Sequence, residues 1–171
     1  LAEAGAVDAV LAAVADAGAQ VDALVNNAGY GLPGTYAATS WADQAAFLQV
    51  MATVPAELAH KVLPGMKERR FGRIINVASL AGLTPGSAGH ALYSAVKSFL
   101  IKFSQSLHLE TRGSGVEVCA ECPGFTYSEF HDVNGMREKV SQLPKLLWLS
   151  SEDVARIGVD AVEAGRARVI S

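Results

Sequence analysis

The chain has 171 residues, half of them apolar and 18% charged, with a formal net charge of −3. A chain of that length buries roughly 70% of the surface it exposes when unfolded, so the composition excludes disorder and points to one compact unit. Lys and Arg form no stripe or block, which removes the electrostatic case for nucleic acid.

Helix and strand patterns alternate along the whole chain. Residues 2–17 are Ala-rich, with Val7, Val10, Leu11 and Val14 at helical spacing, and Gly18 is a natural C-terminal stop. The first residue is Leu1 rather than Met, already inside what reads as a helix, so the natural start is expected upstream. Residues 21–25 form a short apolar run ending in Asn26-Asn27-Ala28-Gly29, which reads as a buried strand and a tight loop. Thr39 or Ser40 can cap a long helical region running to about Arg70, with Pro55 expected to kink or split it. A second buried strand is expected over 73–78, a strongly amphipathic helix over 91–112 and a third strand over 116–122, closed by Pro123-Gly124. An irregular stretch rich in Pro, Gly and polar residues runs to about Leu149. Ser150, with Asp153 three positions on, resembles a capping box for a helix through Glu163, and residues 168–170 begin a fourth strand.

Strands separated by helices of this length imply βαβ crossovers and a doubly wound parallel sheet with helices on both faces. Ligands of such sheets bind beyond the carboxyl ends of the strands. The unusual residues fall there: Asn26 to Gly29 after the first strand, Ser79 after the second, Pro123-Gly124 after the third. The sequence thus predicts a single crevice lined by all three.

Tyr93 and Lys97 are four apart on a helix and share a face, and Ser79 precedes Tyr93 by fourteen positions. A Tyr works as a general acid/base near neutrality only if its pKa falls from about 10 to about 7, roughly 4 kcal/mol of differential stabilisation. A cation about 4 Å from the phenolate supplies roughly that at an effective dielectric of 20, and Lys97 is the candidate. The Ser79 hydroxyl would hold a substrate oxygen as charge develops on it. Tyr-x-x-x-Lys alone occurs by chance in many helices, where Tyr packs and Lys is solvated. Its weight comes from the company of Asn26 to Gly29 and Ser79.

With these motifs the chain resembles the short-chain dehydrogenases/reductases. The resemblance rests on Asn26-Asn27-Ala28-Gly29, Asn76-Val77-Ala78-Ser79-Leu80-Ala81-Gly82, Tyr93-Ser94-Ala95-Val96-Lys97 and Pro123-Gly124-Phe125-Thr126. It implies a Rossmann-like fold and NAD(P)-dependent hydride transfer between an alcohol and a carbonyl. It further implies Tyr93 as acid/base, Ser79 as donor to the substrate oxygen, and Lys97 as both the modulator of Tyr93 and a ligand of the nicotinamide ribose. Asn27, Ala28 and Gly29 would border the adenosine side of the cofactor, Pro123, Gly124 and Thr126 its nicotinamide end, and residues 127–149 would form a substrate lid. A small-molecule substrate, a cytoplasmic setting and a homo-oligomer packed through the two long helices are implied as well, with no nucleic-acid, membrane or metal partner.

The resemblance also defines departures. The family's opening strand, Gly-rich turn and helix have no counterpart, so residues 1–171 are expected to be one partial domain whose strands correspond to the family's fourth to seventh. About two βαβ units, on the order of 60 residues, are expected ahead of Leu1, and further chain after residue 171. A piece of this extent made alone is expected to bind NAD(P)H poorly and to aggregate through the exposed apolar strand 21–25. Met51 stands where the family usually has Asn, a residue that holds a helix distortion and helps place a water. Either Met51 fills space or proton exchange is slowed. Glu121 interrupts an apolar strand and needs a partner or water.

Other signals are weaker. Residues 23–42 are free of charge but carry Asn, Pro and several Gly, so they read as no membrane span. Cys119 and Cys122 have redox or zinc spacing, yet three residues apart on a strand they point to opposite faces. His60, His90, His108 and His131 are scattered, and His90, one turn before Tyr93, is the candidate pocket residue among them. Lys67, Arg69 and Arg70 suit a helix C-terminus, and Trp41 and Trp148 are expected to pack. Besides an oxidoreductase, the sequence admits a non-catalytic or degenerate relative that keeps the fold, which Met51 and the missing front end favour. It also admits an epimerase or dehydratase of the extended version of the fold, which the Asn-Asn-Ala-Gly form opposes.

Overall fold

A computed structural model describes residues 1–89, 91–127, 144, 146 and 148–171. In chain order the elements are α1 (Ala6–Asp16), β1 (Ala23–Asn26), α2 (Trp41–Leu48), α3 (Val54–Arg69), β2 (Gly72–Val77), α4 (Ala91–Glu110), β3 (Val116–Cys122), β4 (Phe125–Tyr127), β5 (Trp148–Ser150), α5 (Ser151–Glu163) and β6 (Arg168–Ile170). The sheet order is β1-β2-β3-β6, and every pairing is parallel. These four strands lie close to the runs read from the sequence.

Period-two alternation sorts the strand residues between two helical layers. Ile74, Val116 and Val118 pack with Ala59, Val62 and Met66 of α3, and Ala120 and Cys122 with Leu100 and Ile101 of α4. On the opposite face Ile75 and Cys119 meet Ala161 and Val162 of α5. Each such side chain fully removed from water stabilises the fold by roughly 1.5–3 kcal/mol. Cys119 and Cys122 therefore lie on opposite faces, both as free thiols whose pKa burial pushes up, to about 12 and about 11. On β1, Leu24 joins the α1 and α3 layer, whereas Val25 faces away from it and is 55% exposed.

A chain of buried polar groups crosses the sheet. Asn26 Nδ2 donates to Asn76 Oδ1 at 2.7 Å, Asn76 Nδ2 donates to Ser104 Oγ at 2.8 Å, and Ser104 Oγ donates to the Leu100 carbonyl at 2.7 Å. Asn26 also approaches the Pro55 carbonyl at 3.5 Å.

The helical region over 39–70 forms much as read, with its interruption at the proline: Ser40 caps α2, a π-turn occupies Gln49–Thr53, and α3 then starts with Pro55 in its first turn. Proline has no N–H to return to the Met51 carbonyl, and the backbone widens instead, with the Val54 N–H bonded to the Gln49 carbonyl. The stretch after Gly124 is not wholly irregular, because β4 and β5 pair in parallel, Phe125 opposite Trp148 and Tyr127 opposite Ser150. Trp148 stacks on Tyr127 with ring centroids 4.8 Å apart. Trp41, expected to pack, is 67% exposed, because the first residue of α2 projects outward beyond the Ser40 cap. The capping box before α5 forms as read, with the Asp153 N–H donating to Ser150 Oγ at 3.0 Å and that hydroxyl donating to Asp153 Oδ2 at 2.8 Å.

The turn between α4 and β3 runs beneath the end of α3. Gly115 there has φ +84°, and a Cβ on it would lie 1.9 Å from the Arg70 carbonyl oxygen.

Candidate active site

The carboxyl ends of β2, β3 and β6 are tied to one another by main-chain bonds. The Leu80 N–H donates to the Pro123 carbonyl at 2.9 Å, and the Gly124 N–H to that of Ser171 at 2.8 Å. Ser79 follows β2 and opens the 3₁₀ turn Leu80–Gly82, its Oγ accepting from the Ala81 N–H at 3.2 Å. Tyr93 sits in the first turn of α4, its side chain hydrogen-bonded to that of Ser79. Its ring packs on Phe47, Met51 and Val96. One turn on, Lys97 is 6% exposed, with Nζ 5.6 Å from the Tyr93 ring centroid and donating to the Val77 carbonyl at 2.7 Å. The structure thus brings Ser79, Tyr93 and Lys97 together at the mouth of the sheet.

The electrostatics differ from the expectation that Lys97 lowers Tyr93. Burial raises the Tyr93 phenol above its ordinary value of 10.0, and only the Ser79 hydrogen bond acts the other way. Burial also brings the Lys97 ammonium down to about 8, which leaves it charged near neutral pH. Lys97 Nζ donates to the Val77 carbonyl and lies 5.6 Å from the Tyr93 ring centroid.

Asn27, Ala28 and Gly29 form an exposed loop after β1. The loop rests on Met51, since a Cβ on Gly29 would come within 3.0 Å of the Met51 sulfur. Met51 is 1% exposed within the π-turn, so the helix distortion exists here without the usual Asn. Pro123, Gly124 and Thr126 are half-buried beside Leu80, and Thr126 Oγ1 donates to the Gly124 carbonyl at 3.4 Å. A depression beside Tyr93 is walled by Leu32, Tyr36, Gln44, Phe47 and Leu92.

The donor set suits a ligand rich in hydroxyls. A Lys ammonium has three N–H groups, and the protein occupies one at Lys97. Among the described residues no group of three or more His, Cys, Asp or Glu could hold a metal ion, and no helix is long and apolar enough to cross a membrane. His60 is exposed, and His108 faces Glu117 at 3.8 Å far from the crevice. His90, His131 and residues 128–143 of the expected lid lie outside the described residues. Sequence reading missed Asn76 and Ser104 as partners of Asn26, although polar residues inside an apolar strand and on the inner face of a helix were the available signal.

Residues 1–138 match the family described as short chain dehydrogenase. The chain is 36% identical over 151 residues to the ketoacyl reductase HetN of Nostoc sp., covering 88% of this chain and 51% of that protein. It is 40% identical over 122 residues to the 3-oxoacyl-[acyl-carrier-protein] reductase FabG of Vibrio cholerae, covering 70% of this chain and 48% of that one. Among solved structures, a short-chain dehydrogenase from Sphingobium yanoikuyae in complex with NADPH superposes with a TM-score of 0.85 at 25% identity, over 99% of this chain and 64% of that one. The chain spans about half the length of the curated relatives it matches. It belongs to the short-chain dehydrogenase family, and its fold is the Rossmann-like α/β fold of that family.

Proposed function

We propose that this family member is an oxidoreductase that transfers a hydride between an alcohol and a carbonyl with NAD(P), Tyr93 acting as acid/base. The observation that carries the reading is the hydrogen-bonded Ser79–Tyr93 pair with a buried ammonium beside it, beyond the carboxyl ends of parallel strands. The names of the similar relatives, ketoacyl and 3-oxoacyl reductases, support the same class.

NAD(P), when bound, supplies the hydride donor or acceptor. The two N–H groups that Lys97 does not spend on Val77 suit ribose hydroxyls. Asn27, Ala28 and Gly29 would border the adenosine side, and Pro123, Gly124 and Thr126 the nicotinamide end. In the reducing direction Tyr93 Oη gives its proton to the substrate oxygen, and Ser79 Oγ donates to the same oxygen as negative charge gathers there. In oxidation Tyr93 takes the proton back. The phenol must first come down from its raised value. Lys97, the buried ammonium beside the ring, is the charge available for it. Self-association through the long helices α3 and α4 is supported by the outer face of α4, where Phe99 is 41% exposed and stacks on Phe103 while Leu109 is 58% exposed.

A second reading, a relative that keeps the fold without turnover, is favoured by Met51, whose thioether occupies the space beneath Gly29. One assay separates them. NADH and NADPH oxidation by the full-length protein is followed with a panel of carbonyls headed by 3-oxoacyl thioesters, and turnover that Tyr93→Phe lowers by at least about a hundredfold is expected. No turnover with any member, or turnover indifferent to Tyr93→Phe, favours the second reading.

A further inference from the structure

Ser79 and Tyr93 come from different elements, and their alignment depends on how the turn after β2 sits against α4. That contact is close. A Cβ on Gly82 would lie 2.6 Å from the carbonyl carbon of Lys97 and 2.8 Å from both the Lys97 oxygen and the Ser98 nitrogen. These are helix backbone atoms, which cannot step aside as a flexible side chain does, so glycine alone permits the approach. Ser98, the residue after Lys97, closes it by donating from Oγ to the Gly82 carbonyl at 2.7 Å. The remaining polar groups of the turn are directed inward or to β3. The Gly82 N–H donates to the Ser79 carbonyl at 3.0 Å, the Ala81 N–H to Ser79 Oγ at 3.2 Å, and the Leu80 N–H to the Pro123 carbonyl at 2.9 Å. Of these bonds, only the one from Ser98 reaches α4.

We propose that the Ser98–Gly82 contact is the clamp that holds Ser79 against Tyr93, making Ser98 a positioning residue for the reaction. Its effect on turnover rests on the oxidoreductase reading, whereas its effect on the Ser79–Tyr93 hydrogen bond does not. A displacement of about 1 Å at a reacting centre costs on the order of a hundredfold in rate, which sets the scale. Without Ser98 Oγ the far end of the turn loses its hydrogen bond to α4, and Ser79 is free to drift from the phenol. Gly82→Ala forces the separation outright.

The test uses two readouts on the purified full-length protein. In Ser98→Ala, kcat falls roughly tenfold with KM little changed, and Ser98→Thr, which keeps the hydroxyl, restores it; Gly82→Ala falls roughly a hundredfold, with circular dichroism checking that it folds. Independently of turnover, the Tyr93 phenol is titrated by ultraviolet absorbance, using Tyr93→Phe as the blank. Its pKa rises in Ser98→Ala, because the Ser79 hydrogen bond that holds it down is loosened, and returns in Ser98→Thr. A Ser98→Ala protein with wild-type kcat and an unmoved Tyr93 titration overturns the clamp. Absence of turnover in the wild type overturns the oxidoreductase reading instead, and the titration then decides the clamp by itself.

Discussion

Glu121 sits 3% exposed on the α5 face of β3, and a Cβ on Gly158 would lie 2.4 Å from its Oε2, so α5 is packed directly onto the carboxyl group. Among the described residues its hydrogen-bond donor is Ser171 Oγ at 3.3 Å. Burial pushes its pKa up from 4.5 to about 7, and the Ser171 bond offsets only part of that. Among the described residues, the partner that the sequence demanded is therefore a hydroxyl. Because the folded value lies above the unfolded one, the native protein holds more protons between about 4.5 and 7. The stability linked to this group is fully present below about pH 4.5 and is lost as pH rises through about 7; Lys97, lowered to about 8, titrates above that window. Thermal melts of wild type and Glu121→Gln should accordingly diverge between about pH 5 and pH 8, the wild type losing ground as pH rises. Parallel melting curves across that range would contradict the assignment.

Among the elements, those with a strong period or an uninterrupted apolar run were legible: the four strands, α4, and α5 with its Ser150 cap. What the sequence concealed was decided by main-chain geometry. Pro55 announced a break but not that a π-turn before it would absorb the break, since the missing N–H acts on a carbonyl four residues earlier. The three-residue strands β4 and β5 carry no usable period and gain their place from the Phe125, Tyr127 and Trp148 rings. At the site, residue identity revealed Ser79, Tyr93 and Lys97, but the direction of the Tyr93 shift depends on burial that no spacing encodes. The clamp at Gly82 was invisible for the same reason, as a close approach of two backbones leaves no pattern in either segment. The turn after α4 gives a direct test of such backbone control. Gly113 and Gly115 both have positive φ, 74° and 84°, yet only Gly115 is pressed against Arg70. Gly113→Ala should cost about 1 kcal/mol, the strain of the left-handed region alone. Gly115→Ala should cost about 3 kcal/mol or more, because α3 and β3 must also part. Urea denaturation measures both, and equal costs would show that the Arg70 contact relaxes freely.

At the scale of the molecule, the sheet as described ends in β1, which pairs with β2 on one side only and presents Val25 at 55% exposure. An open apolar strand edge is a template for pairing with another copy. The 171-residue chain should therefore self-associate with increasing concentration, and Val25→Lys should suppress this in light scattering without lowering the melting temperature by more than about 1–2 °C. Scattering unchanged by Val25→Lys would locate the association elsewhere.

The amide pair between β1 and β2 bears on how this edge finds its alignment. Parallel apolar strands attract one another in several alignments of similar hydrocarbon contact, because Leu24, Val25, Ile74 and Ile75 are nearly interchangeable as neighbours. Only the alignment that sets Asn26 opposite Asn76 lets the Asn26 amide donate to the Asn76 carbonyl oxygen. A shift by two residues would leave both facing aliphatic groups, at roughly 1–3 kcal/mol apiece. The polar pair thus discriminates among competing dockings that greasy contact alone leaves degenerate, and it does so at the strand end from which the Asn27–Gly29 loop departs.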